Sequence, residues 1–177
     1  SRARFSDSCR KRREEANMKN PQRFFHRARV NVPVDVAWDV FTNHERLGEY
    51  TASECRIIKD GSPERNGLGC VRALSFDEEE LPDIEEAINY WHPNKLFGFR
   101  VISGASVTHH QGIVRFFPVS DSESEWVHDL RLVAADEVLE AMPNFYDVAI
   151  GEFHSHMKDA ESECERRGSL VGVNVPI

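Results

Sequence analysis

The spacing of apolar residues changes period along this chain, and that change constrains the fold more than any other feature. Residues 54–134 carry six successive runs of period two, separated by turn signals. From about residue 143 the period becomes helical. The first run, 54–59, ends at Asp60-Gly61, a hairpin-type signal. The second, 70–76, follows Gly67-Leu68-Gly69 and leads to an acidic tip at 77–83 that contains Pro82. The third, 85–91, turns at His92-Pro93-Asn94 into the fourth, 96–102. The fifth, 108–117, stops at Pro118, and a polar turn at 121–125 precedes the last, 126–134.

Ahead of these runs, residues 24–32 read as another strand. Pro33 suits the first turn of a helix, where a missing N–H has no partner to lose, and Val36, Val40 and Phe41 continue at helical spacing. A second short helix is expected over 44–50. Behind the runs, Glu137 to Met142 reads as a separate turn. Phe145, Ala149, Phe153 and Met157 then form one stripe, joined by Tyr146, Ile150, Ala160 and Cys164. Arg166 and Arg167 complement the negative helix end, and Gly168 is expected to stop the helix.

Strands in series beside segregated helices define an α+β protein with an antiparallel sheet of about seven strands. Sheets twist, so a sheet this wide curves strongly. One long helix rarely fills such a concavity. A cavity between helix and sheet is therefore expected, and it would suit a small molecule.

Charge divides the 177 residues. Residues 1–29 hold ten basic and three acidic side chains, while the whole chain carries −8. The remainder is strongly acidic, which argues against a body that coats nucleic acid. Residues 1–21 read as a basic leader, with Met18 as a natural start or the arginines as an address, and 169–177 as a short apolar tail. The domain proper is expected over 22–168. There is no apolar run long enough for a membrane span. Cys9, Cys55, Cys70 and Cys164 match no metal spacing and read as free thiols of a reducing, cytoplasmic compartment. No metal or cofactor is expected.

The candidate chemistry lies on the strands. Arg72 and Glu86 fall on consecutive antiparallel strands, as a structural ion pair or as an anchor for a polar ligand group. Trp126, His128, Leu130 and Leu132 share a face, which sets His128 in an apolar wall as a core histidine or a general acid or base. His110 shares a face with Gly112, Val114 and Phe116, while His109 points the other way. His154 and His156 also face apart, and His156 is the better candidate for a cavity rim. Tyr50, Tyr90 and Tyr146 offer hydroxyls. The expected cavity lining is Tyr90, Phe99, Phe116, Trp126, His128, Phe145, Tyr146, Ala149, Phe153 and Met157.

Three local patterns resemble the helix-grip superfamily called START-like or SRPBCC, in its polyketide cyclase/dehydrase branch. The first is Val32-Pro33-Val34-Asp35-Val36-Ala37-Trp38-Asp39-Val40-Phe41 at the strand–helix junction. The second is Gly67-Leu68-Gly69-Cys70-Val71-Arg72, similar to the family's G-x-G-x-x-R strand opening. The third is Glu86 with Ile88, followed by His92-Pro93-Asn94-Lys95-Leu96. The resemblance spans roughly 22–168 and implies a curved sheet around a long C-terminal helix, with two short helices after the first strand. The glycine pattern opens a strand, not a helix, so a phosphate-binding loop is not implied.

Family functions diverge among lipid or hormone binding, ring cyclisation, dehydration and co-chaperone roles, so fold alone does not fix function. The leading expectation is a binder of a hydrophobic, lipid-like or aromatic small molecule. The alternatives are a cyclase or dehydrase with His128 or His110 as base or acid and Arg72 or a tyrosine at the oxyanion, and a protein-interaction module with a filled interior.

Overall fold

The first two strands of the chain lie at opposite edges of one sheet. The computed structural model describes residues 21–76 and 83–171. In chain order these form β1 (Gln22–Val30), α1 (Val34–Thr42), a 3₁₀ helix (His44–Glu49), β2 (Ser53–Lys59), β3 (Val71–Phe76), β4 (Ile84–His92), β5 (Leu96–Ser103), β6 (Val107–Pro118), β7 (Ser124–Ala134), α2 (Asp136–Ala141) and α3 (Phe145–Val171). The basic leader up to residue 20, the acidic tip at 77–82 and the tail beyond 171 lie outside the described residues.

The strand order is β1-β7-β6-β5-β4-β3-β2, antiparallel throughout. β2 to β7 form a meander, and β1 pairs with β7. The chain must therefore cross from one edge to the other between β1 and β2. α1 and the 3₁₀ helix make that crossing. α1 rests on β6, β7 and α3, and the 3₁₀ helix on β2. The buried face of α1 carries Ala37, Trp38, Val40 and Phe41. Phe41 meets Trp126 edge-on at 4.8 Å, and Trp38 meets Phe116 at 5.3 Å, so α1 closes one end of the concave face with aromatic contacts.

Side chains alternate across each strand, as the period of two requires. Phe24, Ala28 and Val30 of β1, Phe97 and Phe99 of β5, Val114 and Phe116 of β6, and Trp126, His128 and Leu132 of β7 are buried on the concave face. α3 supplies Phe153, Met157, Ala160 and Cys164. Phe153 lies 5.8 Å from Phe24 and 5.0 Å from His128, between their rings. Cys55, Cys70 and Cys164 are buried free thiols.

Strict alternation fails once in β4. The register shifts between Ile88, opposite Phe99, and Tyr90, opposite Gly98. The extra residue turns the strand's faces over. Ile88 is buried, Tyr90 is 49% exposed on the outer face, and Trp91 takes the inner position against Trp38 at 4.8 Å. The expectation that Tyr90 lines the interior is corrected by that bulge. On the outer face Tyr90 lies over Gly98, where a Cβ would overlap its ring.

Three boundaries differ from the sequence expectation. β1 stops at Val30, and Pro33 precedes α1, its carbonyl accepting from Val36 and Ala37 N–H. β7 begins at Ser124, inside the expected turn, because Ser124 is fully buried and donates its hydroxyl to the Val32 carbonyl at 2.8 Å. α3 continues past Gly168 to Val171. Gly168 serves close approach instead, since a Cβ there would press on the Asn31 carbonyl and Val32. One turn earlier Glu163 holds both Arg166 and Arg167, and Arg167 reaches Asp39 of α1.

Gly112 makes a similar allowance inside the sheet. A Cβ there would overlap the Phe99 ring on the neighbouring strand. Gly112→Ala is expected to destabilise the fold by about 1–3 kcal/mol through overpacking, measured by urea unfolding. Adding Phe99→Leu should recover part of the loss. An unchanged unfolding midpoint for Gly112→Ala would contradict this packing.

Candidate functional site

A buried chain of polar groups crosses the concave face. Arg72 of β3 stands directly opposite Glu86 of β4. Its Nε and Nη2 donate to one Glu86 oxygen at 2.9 and 2.7 Å. Both residues are 5% exposed. Nη1 of Arg72 lies 2.9 Å from Nδ1 of His44, and Nε2 of His44 lies 3.0 Å from the Asn66 carbonyl. An arginine only donates and a carbonyl only accepts, so His44 is neutral with its proton on Nε2. Burial, then the Arg72 charge, holds His44 well below the usual imidazole range. Burial pulls the Arg72 guanidinium down as well, but Glu86 more than offsets this and keeps it charged.

The Phe99 ring is where the candidate groups meet. The Arg72 guanidinium sits 5.0 Å over it, the His110 ring 5.7 Å away and the His128 ring 5.6 Å away. All four sequence candidates, Arg72, Glu86, His110 and His128, thus lie on one inner surface of β3, β4, β6 and β7. Nδ1 of His110 accepts from the Val101 N–H at 3.2 Å. Burial lowers the His110 pKa, opposed by Glu86 and reinforced by Arg72. His128 is 5% exposed. Burial, then His110 and Arg72, lowers its pKa to about 3. Its Nδ1 lies 3.3 Å from the Met157 sulfur, and its Nε2 has no hydrogen-bond partner among the described residues.

Burial falls off toward one end of this surface. Along the inner face, buried Arg72 is followed by half-buried Leu74, Glu86 is preceded by half-buried Ile84, and Phe99 is followed by half-buried Val101. On β6 half-buried His110 follows buried Gly112 toward that end, whereas on β7 half-buried Leu130 is followed by Leu132 and Ala134, which are buried again. α3 shows the same gradient: Phe153 and Met157 are buried, while Phe145, Tyr146 and Ala149 of its first turns are half-buried. Among the described residues, the first turns of α3 therefore cover the sheet less completely than its middle does.

Most expected lining residues fall on this inner surface. Phe99, Phe116, Trp126, His128, Phe153 and Met157 are buried there, and Phe145, Tyr146 and Ala149 border its more open end. Tyr90 is outside. The Tyr146 hydroxyl accepts from the Ala134 N–H at 3.0 Å and ties α3 to the end of β7. Tyr50 donates to the Val40 carbonyl and is committed to the crossover. His156 approaches Ser53 of β2 at 3.4 Å, and His154 approaches His26 at 3.3 Å. Two inner residues were not anticipated. Trp91 is hidden by the bulge, and His44 by the absence of any local signal for a partner 28 residues away. A cleft of about 360 Å³ opens elsewhere, between α1 and the loop before β3, with Trp38 and Trp91 among its lining residues. None of the expected lining residues borders it.

No family model matches the sequence, and no curated protein matches it. Solved structures do match. The Zhui aromatase/cyclase from Streptomyces sp. R1128 superposes with a TM-score of 0.68 at 20% identity, over 83% of this chain and 95% of that one. A START superfamily protein from Mycobacterium smegmatis gives 0.65 at 15%, over 81% and 97%. Norcoclaurine synthase from Thalictrum flavum, in complex with dopamine and hydroxybenzaldehyde, gives 0.60 at 16%, over 92% and 94%. The fold is the helix-grip fold. No helix among the described residues is long and apolar enough to cross a membrane.

Within this helix-grip sheet the charged pair is buried, so removing one partner strands the other. Glu86→Ala is expected to cost about 3–5 kcal/mol, read by urea unfolding, and the double change Arg72→Met/Glu86→Leu should cost less. A loss below about 1 kcal/mol for Glu86→Ala would match an exposed pair instead.

The neutral imidazoles give a pH dependence with a definite sign. In the unfolded chain each histidine takes up a proton near pH 6.5. Folded His44 and His110 do so at lower pH, and His128 at about 3. Their contribution is fully present above about pH 6.5 and is lost as pH falls toward about 3. The urea midpoint is expected to drop between about pH 7 and pH 4, with a shallower slope in His128→Phe. Equal slopes would show that His128 is solvated.

Proposed function

We propose that this protein binds a hydrophobic small molecule between the concave face of the sheet and the first turns of α3. The supporting observation is the coincident gradient of burial on both surfaces. Inner-face residues of β3 to β6 and the facing residues of α3 become half-buried toward the same end, while Leu132 and Ala134 of β7 stay buried. The surface they offer is aromatic, with Phe99, Phe145 and Phe153 beside a few fixed polar groups, the composition expected of a small-molecule site. The helix-grip neighbours include an aromatase/cyclase and a synthase seen with small aromatic compounds.

Binding is favoured over cyclase or dehydrase chemistry by the state of the polar groups. Each terminal nitrogen of Arg72 already faces Glu86 or His44, which leaves little of its fork for a developing oxyanion. His110 and His128 have lowered pKa values, so they are weak bases in the resting protein. A reducing, cytoplasmic setting suits three buried free thiols.

The neutral fluorophore N-phenyl-1-naphthylamine tests the proposal. Saturable one-to-one binding in the micromolar range is expected. Ala149→Trp, which places a ring in the half-buried position on α3, should weaken it at least about tenfold with the thermal midpoint nearly unchanged. Absence of saturable binding, or equal binding by Ala149→Trp, would contradict it.

A further inference from the structure

His128 holds one hydrogen bond fewer than its chemistry allows. Its ring is buried between Phe99, at 5.6 Å, and Phe153, at 5.0 Å, both met edge-on. Nδ1 faces the Met157 sulfur at 3.3 Å. A thioether is an acceptor only, so Nδ1 carries the proton and Nε2 presents a lone pair. The two nitrogens of an imidazole point in nearly opposite directions, so Nε2 is turned away from Met157. It is buried and unpartnered among the described residues.

That arrangement fits an acceptor reserved for a ligand. An unpaired lone pair in a dry wall costs free energy that a partner recovers, and one that lacks a donor in the protein selects for a ligand that brings one. Of the other acceptor and donor groups near Phe99, Arg72 is engaged by Glu86 and His44, and the His110 Nδ1 accepts from the Val101 N–H. We infer that the ligand is an apolar ring system bearing a neutral hydroxyl, phenol-like in its chemistry, which donates its hydrogen bond to Nε2 of His128. The ring body packs on Phe99 and Phe153. A charged ammonium donor is disfavoured, because Arg72 shares the same surface. Since His128 stays neutral far below pH 7, the acceptor is present over the physiological range.

The inference rests on the ligand-binding reading above, and one series separates the two. Wild type and His128→Phe are titrated with 2-naphthol, 2-methoxynaphthalene and 2-acetylnaphthalene by displacement of N-phenyl-1-naphthylamine. Wild type is expected to bind 2-naphthol about tenfold more tightly than either analogue, the effect of one buried hydrogen bond. His128→Phe should lose that preference and keep its affinity for 2-methoxynaphthalene. Nitrogen-15 NMR of the wild type, which does not depend on a variant folding, should show 2-naphthol moving the Nε2 resonance of His128 while Nδ1 stays protonated. Equal binding of all three compounds, or an unmoved Nε2 resonance, would overturn the hydroxyl and leave the binding site standing. Preference for 2-acetylnaphthalene would reverse the polarity and overturn it too. Failure of all three and of the fluorophore would remove the binding site itself.

Discussion

The buried pair of Arg72 and Glu86 is the contact on which the rest of this structure depends. Two charges taken out of water are costly, and only close, complete pairing makes the position tolerable. Here the pairing continues outward, from Glu86 through Arg72 and His44 to the Asn66 carbonyl. One chain of hydrogen bonds therefore fixes β3 to β4, the crossover helix to the sheet, and the loop before β3 to both. Phe99 lies under the guanidinium and reaches across to the strand where Gly112 leaves it room. Its ring sets the positions of His110 and His128, so the polar content of the inner surface is arranged from one side.

The crossover explains why the interior is closed at one end and thinly covered at the other. β1 and β2 are opposite edges, and α1 must lie across the concave face to connect them. It brings Trp38 and Phe41 against Phe97, Phe116 and Trp126. α3 is anchored at that same end, through Arg167 to Asp39 and the close approach of Gly168 to Asn31. Its opposite end is held to β7 through the Tyr146 hydroxyl, which accepts from the Ala134 backbone N–H. On β3 to β6 and on α3 burial decreases from the first end to the second, and the proposed ligand site follows from that difference.

Much of this was legible in the sequence. The period of two fixes which residues of β6 and β7 face inward, and His110, Phe116, Trp126 and His128 stand where alternation puts them. The stripe from Phe145 to Met157 likewise packs as its spacing implies. Tyr90 was misplaced because a bulge depends on how two strands pair, and one strand read alone carries no mark of it. Gly168 looked like a stop signal, yet glycine suits a crowded helix contact equally well, and only the position of Asn31 decides between them. His44 could not be assigned because its partners come from β3 and a distant loop.

The central claim is that the space between the sheet and the first turns of α3 receives the ligand. Isotope-filtered NOE spectroscopy of bound N-phenyl-1-naphthylamine tests it most directly. The account predicts contacts from the fluorophore to the Ala149 methyl and to the rings of Phe99 and Phe153. Contacts confined to the cleft at Trp38 and Trp91, or to the outer face at Tyr90, would contradict it.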